Sequence, residues 1–125
     1  MLELKKLSGE ETGVSEEFKA DWEAEKIDFY EDVAYGMGGE HPMYLDLMIP
    51  QEKTEKKRPV IIWVHGGGWS IPELTKKYRP VNALVQACRM GFVCASIEYR
   101  LGTEKPFPAP IEDCKCAVRF LKAHA

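Results

Sequence analysis

The sequence predicts an α/β fold in which an antiparallel strand pair leads into parallel strands joined by a crossover helix. Three observations carry this. Pro59 opens Val60-Ile61-Ile62-Trp63-Val64, a continuous apolar run rich in β-branched residues, the pattern of a central strand covered on both faces. Phe92-Val93-Cys94-Ala95-Ser96-Ile97 repeats that pattern, and a helical segment lies between the two, so the pair is parallel. Ahead of both, two apolar stretches flank Gly36-Met37-Gly38-Gly39, which reads as an antiparallel hairpin.

Each element has its local reason. Residues 1–26 form an acidic segment. Ser15 followed by Glu16 and Glu17 marks a helix start, with Phe18 and Trp22 on one face as a cover for a core edge. From Ile27 the period changes to two: Ile27, Phe29, Glu31 and Val33 share one face of a half-exposed strand that stops at Gly36. Met43 to Ile49 makes the second strand, ended by Pro50, and residues 51–58 form a charged loop. Pro80 fits the first turn of a helix continuing through Ala83, Leu84 and Ala87 to Met90, and Gly91 is a left-handed stop. Pro110 opens the last helix, with Ile111, Cys114, Ala117, Val118 and Leu121 as its apolar stripe.

Composition narrows the class. The chain has 125 residues, one domain's worth, with 45% hydrophobic and 30% charged residues and a net charge of −3. Residues 1–32 hold 11 acidic and 4 basic side chains; the remainder holds 9 and 13, so the acidity is local to the N-terminal segment. Nothing here provides a footprint for nucleic acid, and no stretch nears the ~18 apolar residues a membrane span needs. MLELKKL has no apolar run long enough for secretion, and a cytoplasmic protein is expected. Cys88 and Cys94 fall in buried segments. Cys114 and Cys116 point about 200° apart on a helix and cannot chelate one metal together. Free thiols, no metal and no cofactor are expected.

The segment that carries chemistry is His65-Gly66-Gly67-Gly68-Trp69, reached directly from the strand Val60–Val64. Three glycines let the backbone approach a ligand and adopt conformations a Cβ would forbid. Backbone N–H groups left free there can face a developing negative charge, which is what an oxyanion hole requires.

Val60 to Trp69 resembles the oxyanion motif of the α/β-hydrolase fold serine esterases and lipases related to hormone-sensitive lipase. Ser96-Ile97-Glu98-Tyr99-Arg100-Leu101, then Pro106-Phe107-Pro108-Ala109-Pro110 with Glu112-Asp113, resembles that family's following segments, and the strands around Leu45-Asp46-Leu47 are similar to the first strands of its bacterial carboxylesterase branch. The resemblance covers residues 27–125 and implies the N-terminal half of an α/β-hydrolase domain. It implies that Gly67 and Gly68 supply the oxyanion N–H groups, that Gly66 permits the turn, and that His65 shapes the loop without being the general base. Trp69 would wall a substrate pocket, and Arg100 with Asp113 would form a structural ion pair.

The departure from the family is as informative. The nucleophile motif Gly-x-Ser-x-Gly is absent, and none of the catalytic triad is expected among these residues. In Gly68-Trp69-Ser70-Ile71-Pro72, Pro72 stands where the second glycine would be, and Ser70 follows the wrong strand. Ser96 reads as a small core residue, and His41 and His124 as solvated. The expected function is therefore the oxyanion-bearing N-terminal portion of a serine carboxylesterase of short acyl esters, inactive alone, with a small-molecule ester as the complete enzyme's substrate. The alternatives are an amide-type hydrolase of the same fold (an arylformamidase or peptidase), a non-catalytic small-molecule binder, and a short scaffolding protein. With the nucleophile strand absent the sheet is incomplete. Val60–Val64 is then expected to self-associate or to pair with the remainder of the enzyme.

Overall fold

The computed structural model describes residues 20–124. Six elements follow in order: β1 Ile27–Gly38, β2 His41–Pro50, β3 Val60–Val64, α1 Val81–Arg89, β4 Val93–Ile97 and α2 Ala109–Ala123. They form a mixed four-stranded sheet in the order β1-β2-β4-β3. β1 and β2 are antiparallel, β2 and β4 antiparallel, and β3 and β4 parallel, with Val60 opposite Val93 and Val64 opposite Ile97. The sheet does not close. Ser15 and Phe18 of the expected N-terminal helix lie outside the described residues. Trp22 lies within them: it is buried and stacks on Phe29, with ring centroids 5.0 Å apart.

β1 differs from its expected form in two ways. It runs through Gly36 and Met37 to Gly38, because Gly36 still pairs with Met43 and Gly38 with His41. The turn is Gly39-Glu40, with Gly39 at φ +69°. Gly36 serves packing instead: a Cβ there would lie 2.7 Å from the Cys116 sulfur of α2.

The second difference is a break in register between Tyr30 and Val33, with Asp32 at φ +55°. The extra residue flips the strand's faces. Ile27 and Phe29 pack with Trp22, Met48, Leu84 and Cys88, on the α1 side. Val33 and Tyr35 pack with Leu45, Leu47, Ile97 and Ala117, on the α2 side. The expected single face Ile27–Phe29–Glu31–Val33 is thus divided between two cores.

β3 has its expected bounds and, as expected of an incomplete sheet, one open side. It is hydrogen-bonded to β4 alone and stands at the sheet edge, with Val60 42%, Ile61 37% and Val64 41% exposed. α1 is the expected crossover, burying Val81, Leu84, Val85 and Cys88, and Gly91 follows it at φ +98°.

α2 is rotated from its expected stripe. Ala109, Pro110, Asp113 and Ala117 are buried, whereas Ile111 and Val118 are 43% and 42% exposed. The reason is Asp113, whose bond to Arg100 turns the 113/117 face inward. All four cysteines are free, and the Cys88 and Cys94 sulfurs lie 3.8 Å apart in the α1-side core. Among the described residues no helix is long and apolar enough to cross a membrane.

Candidate active site

β3 delivers the chain into the glycine loop at the end of the sheet where β4 also finishes. Gly67 has φ +121°, and Gly68 and Trp69 both have φ +58°. Three successive left-handed residues reverse the chain within one turn. For Trp69 this conformation costs about 1–2 kcal/mol, so the surroundings must hold it. They do so at two points. The Ser70 N–H donates to the Gly67 carbonyl at 3.1 Å, and the Trp69 carbonyl accepts from the Gly102 N–H. A Cβ at Gly67 would also crowd Leu74, with Cδ1 at 3.1 Å. At Gly68 a Cβ would meet open space. Gly66 has neither a left-handed φ nor a crowded Cβ position. Among the described residues, neither the Gly67 nor the Gly68 N–H has an acceptor.

His65 is buried at the base of this loop. Its Nδ1 lies 2.9 Å from the Gly66 carbonyl. A carbonyl only accepts, so Nδ1 carries the proton. Burial pushes the imidazole below its ordinary pKa, which favours the neutral ring. Tyr99 clamps it. The two rings stack at 4.4 Å and 12°, and the Tyr99 hydroxyl donates to the His65 carbonyl at 2.8 Å. Tyr99 was not among the expected site residues. The signal for it lay in the parallel register, since residues that follow Val64 and Ile97 must emerge side by side.

The other expected residues are placed as follows. Trp69 is 54% exposed. Arg100 grips Asp113 bidentately, Nε to Oδ2 and Nη2 to Oδ1 both at 3.0 Å, and the Arg100 backbone N–H adds a third bond at 2.8 Å. This fork fixes the start of the 100–108 loop on α2. Ser70 is exposed. Ser96 is fully buried and donates to the Lys76 carbonyl. His41 pairs with Glu104 at 3.0 Å on the surface, and His124 caps the end of α2 through the Phe120 carbonyl. No serine of the described structure stands beside a histidine as a nucleophile and base would.

A buried ion cluster was absent from the sequence expectations. Asp46 on β2 is fully buried and accepts from Lys76 Nζ at 3.0 Å, from Arg79 Nη1 at 3.2 Å and from the Asp32 N–H at 3.0 Å. Lys76 also meets Asp32 at 2.8 Å, and the Arg79 guanidinium lies 5.1 Å from the centre of the Phe29 ring. Both cations belong to the irregular segment between the glycine loop and α1. Among the described residues no group of three or more His, Cys, Asp or Glu side chains is placed to hold a metal ion.

Comparison with known proteins places this arrangement. The BD-FAE family model matches residues 45–125. Hydrolase 3 of Catharanthus roseus is 28% identical over 82 residues, covering 66% of this chain and 26% of that protein. The carboxylesterase NlhH of Mycobacterium tuberculosis is 39% identical over 67 residues, covering 54% and 20%. Among solved structures, a bacterial heroin esterase superposes with a TM-score of 0.63 at 34% identity, covering 79% of this chain and 30% of that one. A truncated carbohydrate esterase from gut microbiota shares the fold, with a TM-score of 0.55 at 23% identity over 91% of this chain and 37% of that one. The chain thus spans about a fifth to a quarter of the length of these curated relatives. With its mixed sheet, its glycine loop after β3 and a match across well over half its length, the chain belongs to the BD-FAE family of α/β-hydrolase esterases.

Proposed function

We propose that this chain is the oxyanion-bearing N-terminal portion of a serine carboxylesterase of short acyl esters, working in the reducing setting of the cytoplasm. The observation that carries the reading is the glycine loop. Two adjacent N–H groups, Gly67 and Gly68, lack acceptors among the described residues and belong to residues of left-handed φ at the end of a sheet strand. Carboxylesterase and hydrolase relatives support ester hydrolysis as the reaction class.

In the complete enzyme a serine hydroxyl loses its proton to a base as its oxygen attacks the ester carbonyl carbon. The carbonyl π electrons move to oxygen, and the Gly67 and Gly68 N–H groups receive that charge. Collapse expels the alcohol, and water then releases the acid from the acyl-enzyme. Donors set in advance cost no reorganisation at the moment charge develops, so they act on kcat more than on substrate binding. Trp69, exposed in the glycine loop, is assigned to wall the pocket for the ester, and neutral, clamped His65 holds the loop.

The test is Gly67→Val and Gly68→Val in the full-length protein, assayed on nitrophenyl acetate and butyrate. The expected loss is on the order of 10²-fold or more in kcat with a much smaller change in KM. A kcat within about threefold of wild type would reduce the loop to a turn. The 125-residue chain alone is expected to turn over neither ester. Activity abolished by Ser70→Ala would reverse that.

A further inference from the structure

A cavity of about 300 Å³ opens beside His65, at the same end of the sheet as the glycine loop. Its wall includes Tyr44, Leu74, Glu98 and Tyr99. Its polar groups are mostly spent. The Tyr99 hydroxyl donates to the His65 carbonyl, Arg100 is forked onto Asp113, and His41 and Glu104 hold each other at the rim. Beyond its lining, Lys76 and Arg79 are committed to Asp32 and Asp46, and Lys77 to Glu31.

Glu98 is the exception among the charged side chains of the lining. Its backbone is pinned on both sides, the N–H donating to the Tyr44 carbonyl at 3.0 Å and the carbonyl accepting from the Tyr35 hydroxyl. Its carboxylate has neither a hydrogen bond nor an ion pair among the described residues. Burial pushes this carboxyl above its ordinary pKa, as expected of an acid removed from water without a matching donor. A half-buried carboxylate on a pinned backbone in a cavity, with tyrosine rings in the same wall, is the complement of a small organic cation. Ionised, this carboxylate can only accept, so a ligand that pairs with it must donate or carry positive charge.

We propose that this cavity binds the ammonium-bearing part of the ester substrate, with Glu98 as its counter-charge and Tyr44 and Tyr99 as its aromatic wall. The substrate assignment rests on the esterase reading; the ammonium site itself does not. His65 joins the two, since it lines the cavity and begins the glycine loop.

The test uses the full-length protein, with choline and its uncharged isostere 3,3-dimethylbutan-1-ol as probes in ligand-observed NMR titrations. Choline is expected to bind about tenfold tighter or more, from a shielded ion pair and cation–π contact. Glu98→Gln should bring choline to the isostere's level and leave the isostere unchanged, whereas Glu98→Asp keeps part of the preference. Equal binding of the two probes by wild type, or a preference that survives Glu98→Gln, overturns the site. The acetate esters of the same two alcohols separate the readings. A higher kcat/KM for the choline ester, lost in Glu98→Gln, supports the substrate assignment, and equal values overturn it. Binding at Glu98 with neither ester hydrolysed leaves the ammonium site standing and removes the esterase reading.

Discussion

Asp46→Ala is the substitution with the largest expected cost, and its magnitude follows from the contacts. The carboxylate is fully buried and serves three donors: Lys76 Nζ, Arg79 Nη1 and the Asp32 N–H. The two cations that remain are almost as buried, at 3% and 1% exposed. Neither is wholly abandoned. Lys76 keeps the Asp32 carboxylate at 2.8 Å, though that side chain is 53% exposed, and Arg79 keeps the Lys76 carbonyl at 2.9 Å and the Phe29 ring. Breaking a buried pair by removing one partner costs about 3–5 kcal/mol. The orphaned Asp32 N–H adds about 1 kcal/mol. The total, about 4–6 kcal/mol, is a large share of the roughly 5–15 kcal/mol that keeps a domain folded. Urea unfolding followed by fluorescence reports it, since Trp22 stacks on the same Phe29 that Arg79 covers. Asp46→Asn keeps an acceptor and should fall between wild type and Asp46→Ala. Glu104→Gln, at the exposed pair with His41, should leave the midpoint unchanged. A cost below about 1 kcal/mol for Asp46→Ala would mean that water reaches the cluster, and the argument from burial would fail.

Three further outcomes are expected. Tyr99→Phe keeps the ring stack on His65 but removes the bond to its carbonyl, at a cost of about 0.5–1.5 kcal/mol; in the full-length enzyme it should lower kcat more than it raises KM, and an unchanged kcat would free the loop from this clamp. In an NMR pH titration His41, raised by its bond to Glu104, should protonate before His65, lowered by burial. Because the folded His65 pKa lies below its unfolded value of 6.5, its contribution to stability is complete above that pH and is lost as pH falls from 6.5 through the folded pKa; His65 titrating at or above 6.5 would show an accessible ring. The free edge of β3, with Val60, Ile61 and Val64 exposed, is proposed to pair with a second copy or with the remainder of the enzyme, so the 125-residue chain should associate in sedimentation at high micromolar concentration and Ile61→Lys should weaken it; a wild-type monomer there would show the edge to be satisfied internally.

The parts of the fold legible in the sequence are those set by local punctuation. The β3 run begins after Pro59 and ends at His65, and α1 lies between Pro80 and Gly91, whose φ of +98° only glycine adopts freely. The bulge in β1 was not legible. It depends on the Asp32 N–H reaching a carboxylate 14 residues away, a long-range bond that leaves no trace in the hydrophobic period. The rotation of α2 has the same origin, because an Asp113–Arg100 fork outweighs the modest gain from turning Ile111 or Val118 inward. The glycine loop was legible as a motif, but its clamp by Tyr99 required the register of β3 against β4.

Lys76 and Arg79, in the Lys-Lys-x-Arg segment before α1, are buried cations that the sequence pattern does not mark. The segment 70–80 has no ladder of its own to satisfy its backbone, yet it must close over the α1-side core. Side chains do that work. Ser96 Oγ donates to the Lys76 carbonyl, Arg79 Nη1 donates to the same carbonyl, and both cations reach Asp46. The Leu74 side chain that crowds Gly67 belongs to this same segment. Tyr99 therefore fixes the glycine loop at its start and the Asp46 cluster fixes it at its end. A buried ion network contributes little net stability over an apolar replacement. Here it serves to set the position of irregular backbone. On that view an apolar replacement of the whole Asp46–Lys76–Arg79 set could keep the protein folded while releasing the segment that holds Gly67 in place.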